Sequence, residues 1–140
     1  MKQIPVIFWT GTGNTQMMAD AVAEAINAAG AEAVVKNVSE ISADEAAGYD
    51  ALALGCPAMG AEVLEECEFE PFFTEVEGKL AGKKVALFGS YGWGGSYMQD
   101  WEARVKDAGA TLVADGVLAL GAPDDEAMAK LAEAGKLLAK

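Results

Sequence analysis

Residues Phe8–Thr15 read FWTGTGNT. The stretch closes an apolar run, Ile4–Trp9 (IPVIFW), and opens onto QMMADAVAEAINAAG (Gln16–Gly30), which has the composition of a helix. Two glycines, three hydroxyl side chains and an asparagine therefore fall where a strand turns into a helix. Glycine lets backbone amides approach a ligand closely, hydroxyls add donors, and a helix start carries unpaired N–H groups with partial positive charge. The combination predicts an anion site, best suited to phosphate. It fits neither of two familiar phosphate motifs. Gln16 occupies the place of the third glycine of a dinucleotide fingerprint, and no Gly-Lys-Ser/Thr follows to form a P-loop.

Working outward, strand-like and helix-like segments alternate. After the strand at Ile4–Trp9 comes a helix over about Thr15–Ala29, then a strand at Glu32–Asn37, a poorly patterned stretch to Tyr49, and a strand at Ala51–Gly55. A short helix near Phe69–Val76, a strand at Lys84–Gly89, a helix near Met98–Ala108, a last strand region in TLVADGVLAL (Thr111–Leu120) and a helix over about Asp124–Leu138 follow. Five strands separated mainly by helices predict a single α/β domain over residues 1–140, with a doubly wound, three-layer parallel sheet. In such sheets ligands sit beyond the carboxyl ends of the strands, where the strand order reverses.

Three loops then share one edge. TGTGNT follows the first strand, CPAMGAE (Cys56–Glu62) the third and SYGWGGSY (Ser90–Tyr97) the fourth. The first offers phosphate donors, the second Met59 beside Gly60, and the third Tyr91 and Trp93 among glycines. A flat, phosphorylated aromatic ligand suits all three. Each piece also has a plainer meaning. Glycine turns are common wherever a strand packs closely on a helix, and Met59 alone reads as core. Trp93 has little regular structure to pack on, whereas Trp101, at helical spacing from Val105, reads as core and Trp9, ending the first strand, as packing or as a support one layer behind the site.

Composition narrows the function classes. The 140-residue chain is 52% hydrophobic, has no histidine and carries a net charge of −12. Without histidine it lacks the usual general base and commonest metal ligand, so redox chemistry here calls for an organic cofactor. Cys56 and Cys67 are too few and too scattered for a disulfide framework or an iron–sulfur or zinc site, and read as structural thiols. No apolar run reaches the ~18 residues of a membrane span, and MKQIPVIFWT is too short in apolar length for a signal peptide, so a cytoplasmic location is expected. Half of the 22 acids fall between Lys36 and Lys79, where there is no basic residue. Such a face repels nucleic acid and anionic membranes and attracts a basic protein partner, although a merely solvated surface is the commoner meaning of an acidic run.

TGTGNT, GCPAMGAEVLEE and LFGSYGWGG together, in order along nearly the whole chain, resemble the short-chain flavodoxins of clostridial-type anaerobic bacteria. The resemblance implies strand order 2-1-3-4-5, non-covalently held FMN and one-electron transfer between redox proteins. It assigns phosphate binding to Thr10, Gly11, Thr12, Gly13, Asn14 and Thr15, and flavin flanking to Met59 on the inner face and Trp93 on the outer. Gly60, Ala61, Glu62 and Gly92 would meet the polar edge of the ring. Ser90 and Tyr91 would complete the pocket, with Pro57, Ala58 and Gly94 among the cofactor-binding positions, and the C-terminal third takes no ligand role. Ala61 departs from a family position that is often polar.

Chemistry adds two expectations. Gly60 bears positive φ without penalty, so its peptide can turn its carbonyl towards flavin N5 in one oxidation state and away in another. About six carboxylates ~10 Å from the ring would each cost roughly 0.4 kcal/mol when negative charge is added, which favours a low potential. The expected partners are redox proteins with basic docking surfaces, of the ferredoxin-dependent oxidoreductase type, meeting a monomer. The alternative, an FMN-dependent NAD(P)H or quinone reductase of similar fold, needs a substrate on the face that Trp93 is expected to cover. A phosphorelay receiver needs clustered acids where Phe8, Trp9 and Thr10 stand, and a low-molecular-weight phosphatase needs an arginine near its nucleophilic cysteine, whereas the only arginine is Arg104.

Overall fold

The computed structural model describes residues 2–11, 13–59, 64–92 and 96–140. Strand β1 (Gln3–Phe8) is followed by helix α1 (Asn14–Ala28), β2 (Glu32–Asn37), a 3-10 turn at Val38–Glu40, α2 (Ala43–Ala47) and β3 (Ala51–Gly55). Then come α3 (Phe69–Glu77), β4 (Lys84–Tyr91), α4 (Ser96–Asp107), β5 (Thr111–Leu112), β6 (Val117–Leu120) and α5 (Asp125–Ala139). All the pairings are parallel, in the order β2-β1-β3-β4-β5. The chain leaves β1 for one side of the sheet and returns to β3 on the other, which puts the order reversal between those two strands.

Alternation along the strands sorts the two faces. Ile4, Val6 and Phe8 of β1, with Ala51, Ala53, Ala86 and Phe88, meet Met18, Val22 and Ile26 of α1 and Leu131 and Leu138 of α5. Leu52, Leu54, Val85 and Leu87 point the other way, to Phe69, Phe73 and Val76 of α3 and Trp101 and Val105 of α4. The alanines on the first face let α1 and α5 come close, and the helices also touch each other. A Cβ at Gly135 of α5 would stand 2.8 Å from Ala25 Cβ, so only glycine permits that crossing. Trp101 is core, as its spacing predicts: it is 1% exposed and meets Phe69 and Phe73 edge-on.

Two elements differ from the sequence reading. The fifth strand position is built from two pieces. Lys84 and Val85 pair with Thr111 and Leu112, Phe88 to Tyr91 pair with Val117 to Leu120, and between the ladders four residues face two. The extra length is taken up where Gly116, whose Cβ would lie 2.4 Å from Met98 Sδ, donates its N–H to Glu102 Oε2 at 2.7 Å. The stretch without clear pattern before Tyr49 holds the 3-10 turn and α2. Asn37 and Glu40 form a capping box there, and the Ser42 side chain accepts from Glu45 N–H.

Candidate functional site

The first loop opens where Trp9 N–H, one residue past β1, still bonds the Gly55 carbonyl at 3.0 Å. Thr10 Oγ1 then accepts the Gly13 N–H at 2.9 Å, which bends the chain into α1. Gly13 stands at the N-cap with φ 93°, a left-handed conformation that glycine adopts without strain. Among the described residues no side chain caps α1 and no acid lies in its first turn. The first-turn N–H groups thus keep their positive end open to an anion.

The second and third loops are held against each other. Cys56 N–H donates to the Phe88 carbonyl at 3.1 Å and Ala58 N–H to the Ser90 carbonyl at 2.9 Å, extending the β3–β4 ladder beyond β3. Gly55 and Gly89 make the close approach possible, since a Cβ on either would come within 2.1 Å of the Phe88 ring or the Cys56 carbonyl oxygen. Burial pushes the Cys56 thiol up to about 12, so it stays protonated and donates to the Pro57 carbonyl at 3.5 Å. It carries no thiolate chemistry.

Between these loops lies a cleft of about 310 Å³, at the small end of the range for small-molecule sites. Gly11 and Asn14 line it from the first loop, Pro57, Ala58 and Met59 from the second, and Ser90, Tyr91 and Gly92 from the third. Two clefts of similar volume, lined by Ala29, Glu133, Lys136, Ala139 and Lys140 and by Lys2, Gln3, Gly48, Tyr49 and Asp50, lie at the amino ends of the strands. Volume therefore does not single out a site. Position does: of these three clefts, all lined by described residues, only the first lies at the carboxyl ends beside the β1–β3 reversal.

Eight of the expected site residues are thus brought together. Thr10 and Gly13 shape the turn without lining the cleft. Thr15 is 1% exposed, with its hydroxyl 3.1 Å from Ser90 Oγ, so its side chain ties the first loop to β4 while its backbone stays in the first turn of α1. Thr12, Gly60, Ala61, Glu62, Trp93 and Gly94 lie outside the described residues. Two cleft residues were not anticipated. Trp9, read as packing or as a support behind the site, lines the cleft, stands within 3.2 Å of where a Gly11 Cβ would be, and donates its indole N–H to Glu68 Oε1 at 3.2 Å. Gly121, just past β6 with φ 70°, lines it too, although the sequence reading assigns the C-terminal third no ligand role. Its N–H reaches the Tyr91 carbonyl at 3.0 Å. The signal for both was topological: each directly follows the carboxyl end of a strand.

The described donors around the cleft are neutral, with no Lys or Arg among its lining residues. Uncapped amides with hydroxyl and amide side chains suit a phosphate monoester, and Trp9, Met59 and Tyr91 suit a flat ring. Among the described residues no three His, Cys, Asp or Glu side chains are placed to hold a metal, and no helix is long and apolar enough to cross a membrane.

An open parallel sheet of order β2-β1-β3-β4-β5, with a ring-and-phosphate cleft at its reversal, defines the class of flavodoxin-like proteins. The family profile Flavodoxin matches residues 6–135, and the chain belongs to the flavodoxin family. Its sequence is 47% identical over 135 residues to a flavodoxin of Clostridium beijerinckii, covering 96% of this chain and 97% of that one. It is 46% identical over 116 residues to a flavodoxin of Megasphaera elsdenii, covering 82% and 85%. The solution structure of two-electron reduced Megasphaera elsdenii flavodoxin superposes with a TM-score of 0.86 at 42% identity, covering 97% of this chain and 98% of that one.

Proposed function

We propose that this chain is a low-potential one-electron carrier that works with non-covalently bound FMN between redox proteins, residues 1–140 acting as one FMN-binding unit. It is an electron-transfer protein and not an enzyme. The observation that carries the reading is the junction of an uncapped helix start with a ring-sized cleft at the strand-order reversal. FMN, when bound, supplies the electron-carrying chemistry; the chain supplies its position and surroundings. The N–H groups of the Thr10–Thr15 turn, with the Thr12 hydroxyl and the Asn14 side chain, hold the phosphate, while the Thr10 and Thr15 hydroxyls brace the turn. Pro57, Ala58, Met59, Ser90, Tyr91 and Gly92 enclose the ring together with Trp9 and Gly121, and Gly60, Ala61, Glu62, Trp93 and Gly94 complete its surroundings. A reductase would have to stack its substrate on the outer face, which this reading assigns to Trp93.

The acidic stretch from Glu40 to Glu77 supports docking of basic redox proteins, since like-charged partners are repelled and oppositely charged ones steered. The test is the visible spectrum of the purified protein, with stoichiometric flavin bands as the expected result and no oxidation of NADH or NADPH by the loaded protein. A colourless protein unable to take up FMN sinks the reading, and pyridine-nucleotide turnover moves it to the reductase.

A further inference from the structure

Glu65 is the one acidic residue among those described that is buried, 5% exposed, within a run of acids that otherwise reads as solvated surface. No described Lys or Arg pairs with it. Its carboxylate instead accepts the N–H of Cys67 at 2.7 Å, Glu68 at 2.7 Å and Phe69 at 2.9 Å, at the start of α3, whose own N-cap side chain makes no capping bond. A buried carboxylate satisfied by three amides at a helix start is fixed in place.

From that fixed point two bonds run to the cleft. Glu65 N–H donates to Cys56 Sγ at 3.3 Å, and Cys56 precedes Pro57, Ala58 and Met59 on one wall. Glu68, whose N–H the Glu65 carboxylate holds, accepts the indole N–H of Trp9 on another wall.

We infer that Glu65 is a positioning residue for the cofactor cleft: its buried carboxylate sets the spacing of the Trp9 wall and the Pro57–Met59 wall, so that FMN meets a preformed site. The inference rests on the FMN reading above. A carboxylate that only caps α3 would stabilise the helix and leave FMN affinity alone. One that positions the walls is coupled to FMN, and coupling is reciprocal.

The experiment compares wild type, Glu65→Gln and Glu66→Gln, the last removing a neighbouring exposed charge. FMN dissociation constants come from quenching of flavin emission, and amide exchange at Cys67, Glu68 and Phe69 is read with and without FMN. In Glu65→Gln, opening at these amides should rise about tenfold or more without FMN, FMN affinity should fall by a comparable factor, and FMN should restore the protection. Glu66→Gln should change neither by more than about twofold. If Glu65→Gln does not fold, Glu65→Asp takes its place, with a smaller loss in the same direction. Faster exchange with unchanged FMN affinity overturns the inference and leaves a helix cap. An equal loss of affinity in Glu66→Gln overturns it in favour of general charge. Failure of the wild type to bind FMN strikes the FMN reading itself, which the variant comparison does not.

Discussion

Tyr97, on the first turn of α4, donates its hydroxyl to the Cys56 carbonyl at 2.8 Å, directly over Gly89, where a Cβ would lie 2.1 Å from both oxygens. One bond thus joins α4 to the end of β3 across β4 and sets the height of the second loop above the sheet. Burial first, and Cys56 beside it, push the Tyr97 phenol above its usual range, so it remains a donor.

Tyr97→Phe removes that donor and leaves a buried carbonyl unpaired, which costs about 1–3 kcal/mol. Gly89→Ala should cost more, because the Cys56 backbone carbonyl, as well as the Tyr97 hydroxyl, blocks the Cβ. Urea unfolding should rank the two in that order. Equal stability of Gly89→Ala and wild type would show that the two loops can separate freely.

The phosphate prediction follows from the neutral donor set at the start of α1. With amides and hydroxyls as the only partners, several bonds to a charged group together are worth about 3 kcal/mol, so riboflavin should bind roughly 100-fold more weakly than FMN. Raising salt should weaken FMN binding only slightly, since no lysine or arginine lines the described cleft. Equal affinity for the two flavins would sink the assignment of Thr10–Thr15.

Arg104 joins α4 to α3 away from the cleft. Its guanidinium forks onto Glu70 at 2.7 and 2.9 Å, reaches Glu77 at 3.1 Å and lies 4.6 Å above the Phe73 ring. Lysine cannot fork onto two carboxylates and stack as well, so Arg104→Lys should cost about 1 kcal/mol, with FMN affinity unchanged. The check is a denaturation curve with an FMN titration on the same sample, and a change in affinity would mean that the α3–α4 contact reaches the site.

How far the sequence could be read follows from the scale of the interactions. The strands at Ala51–Gly55 and Lys84–Gly89 and the TGTGNT turn are legible because hydrophobic runs and glycine turns are local features. The divided fifth strand is not, because its division answers to Met98 and Glu102 on α4. Trp9 looks like a strand-end packing residue until Glu68, 59 positions on, is seen to hold its indole. Glu65 is indistinguishable by sequence from Glu66, and only the fold of the chain around three amides separates a buried anion from a solvated one.

That anion also gives the protein a signature in acid. Burial alone would raise the Glu65 pKa, but the N–H bonds from Phe69, Glu68 and Cys67, with the Cys67 thiol, outweigh it and hold the carboxyl below its unfolded value near 4.5. A folded pKa below the unfolded one means that the unfolded chain binds more protons in the interval between them. The stability Glu65 contributes is therefore fully present above the unfolded value and is lost as pH falls through the folded one. Glu70 is lowered too, chiefly by its bonds to Arg104, so wild type and Glu65→Gln share that part of the acid sensitivity. Urea midpoints measured from about pH 7 down to about pH 3 should show wild type well above Glu65→Gln at neutrality and the gap closing in acid. A gap that stayed constant over the whole range would mean that Glu65 acts through its shape and not its charge.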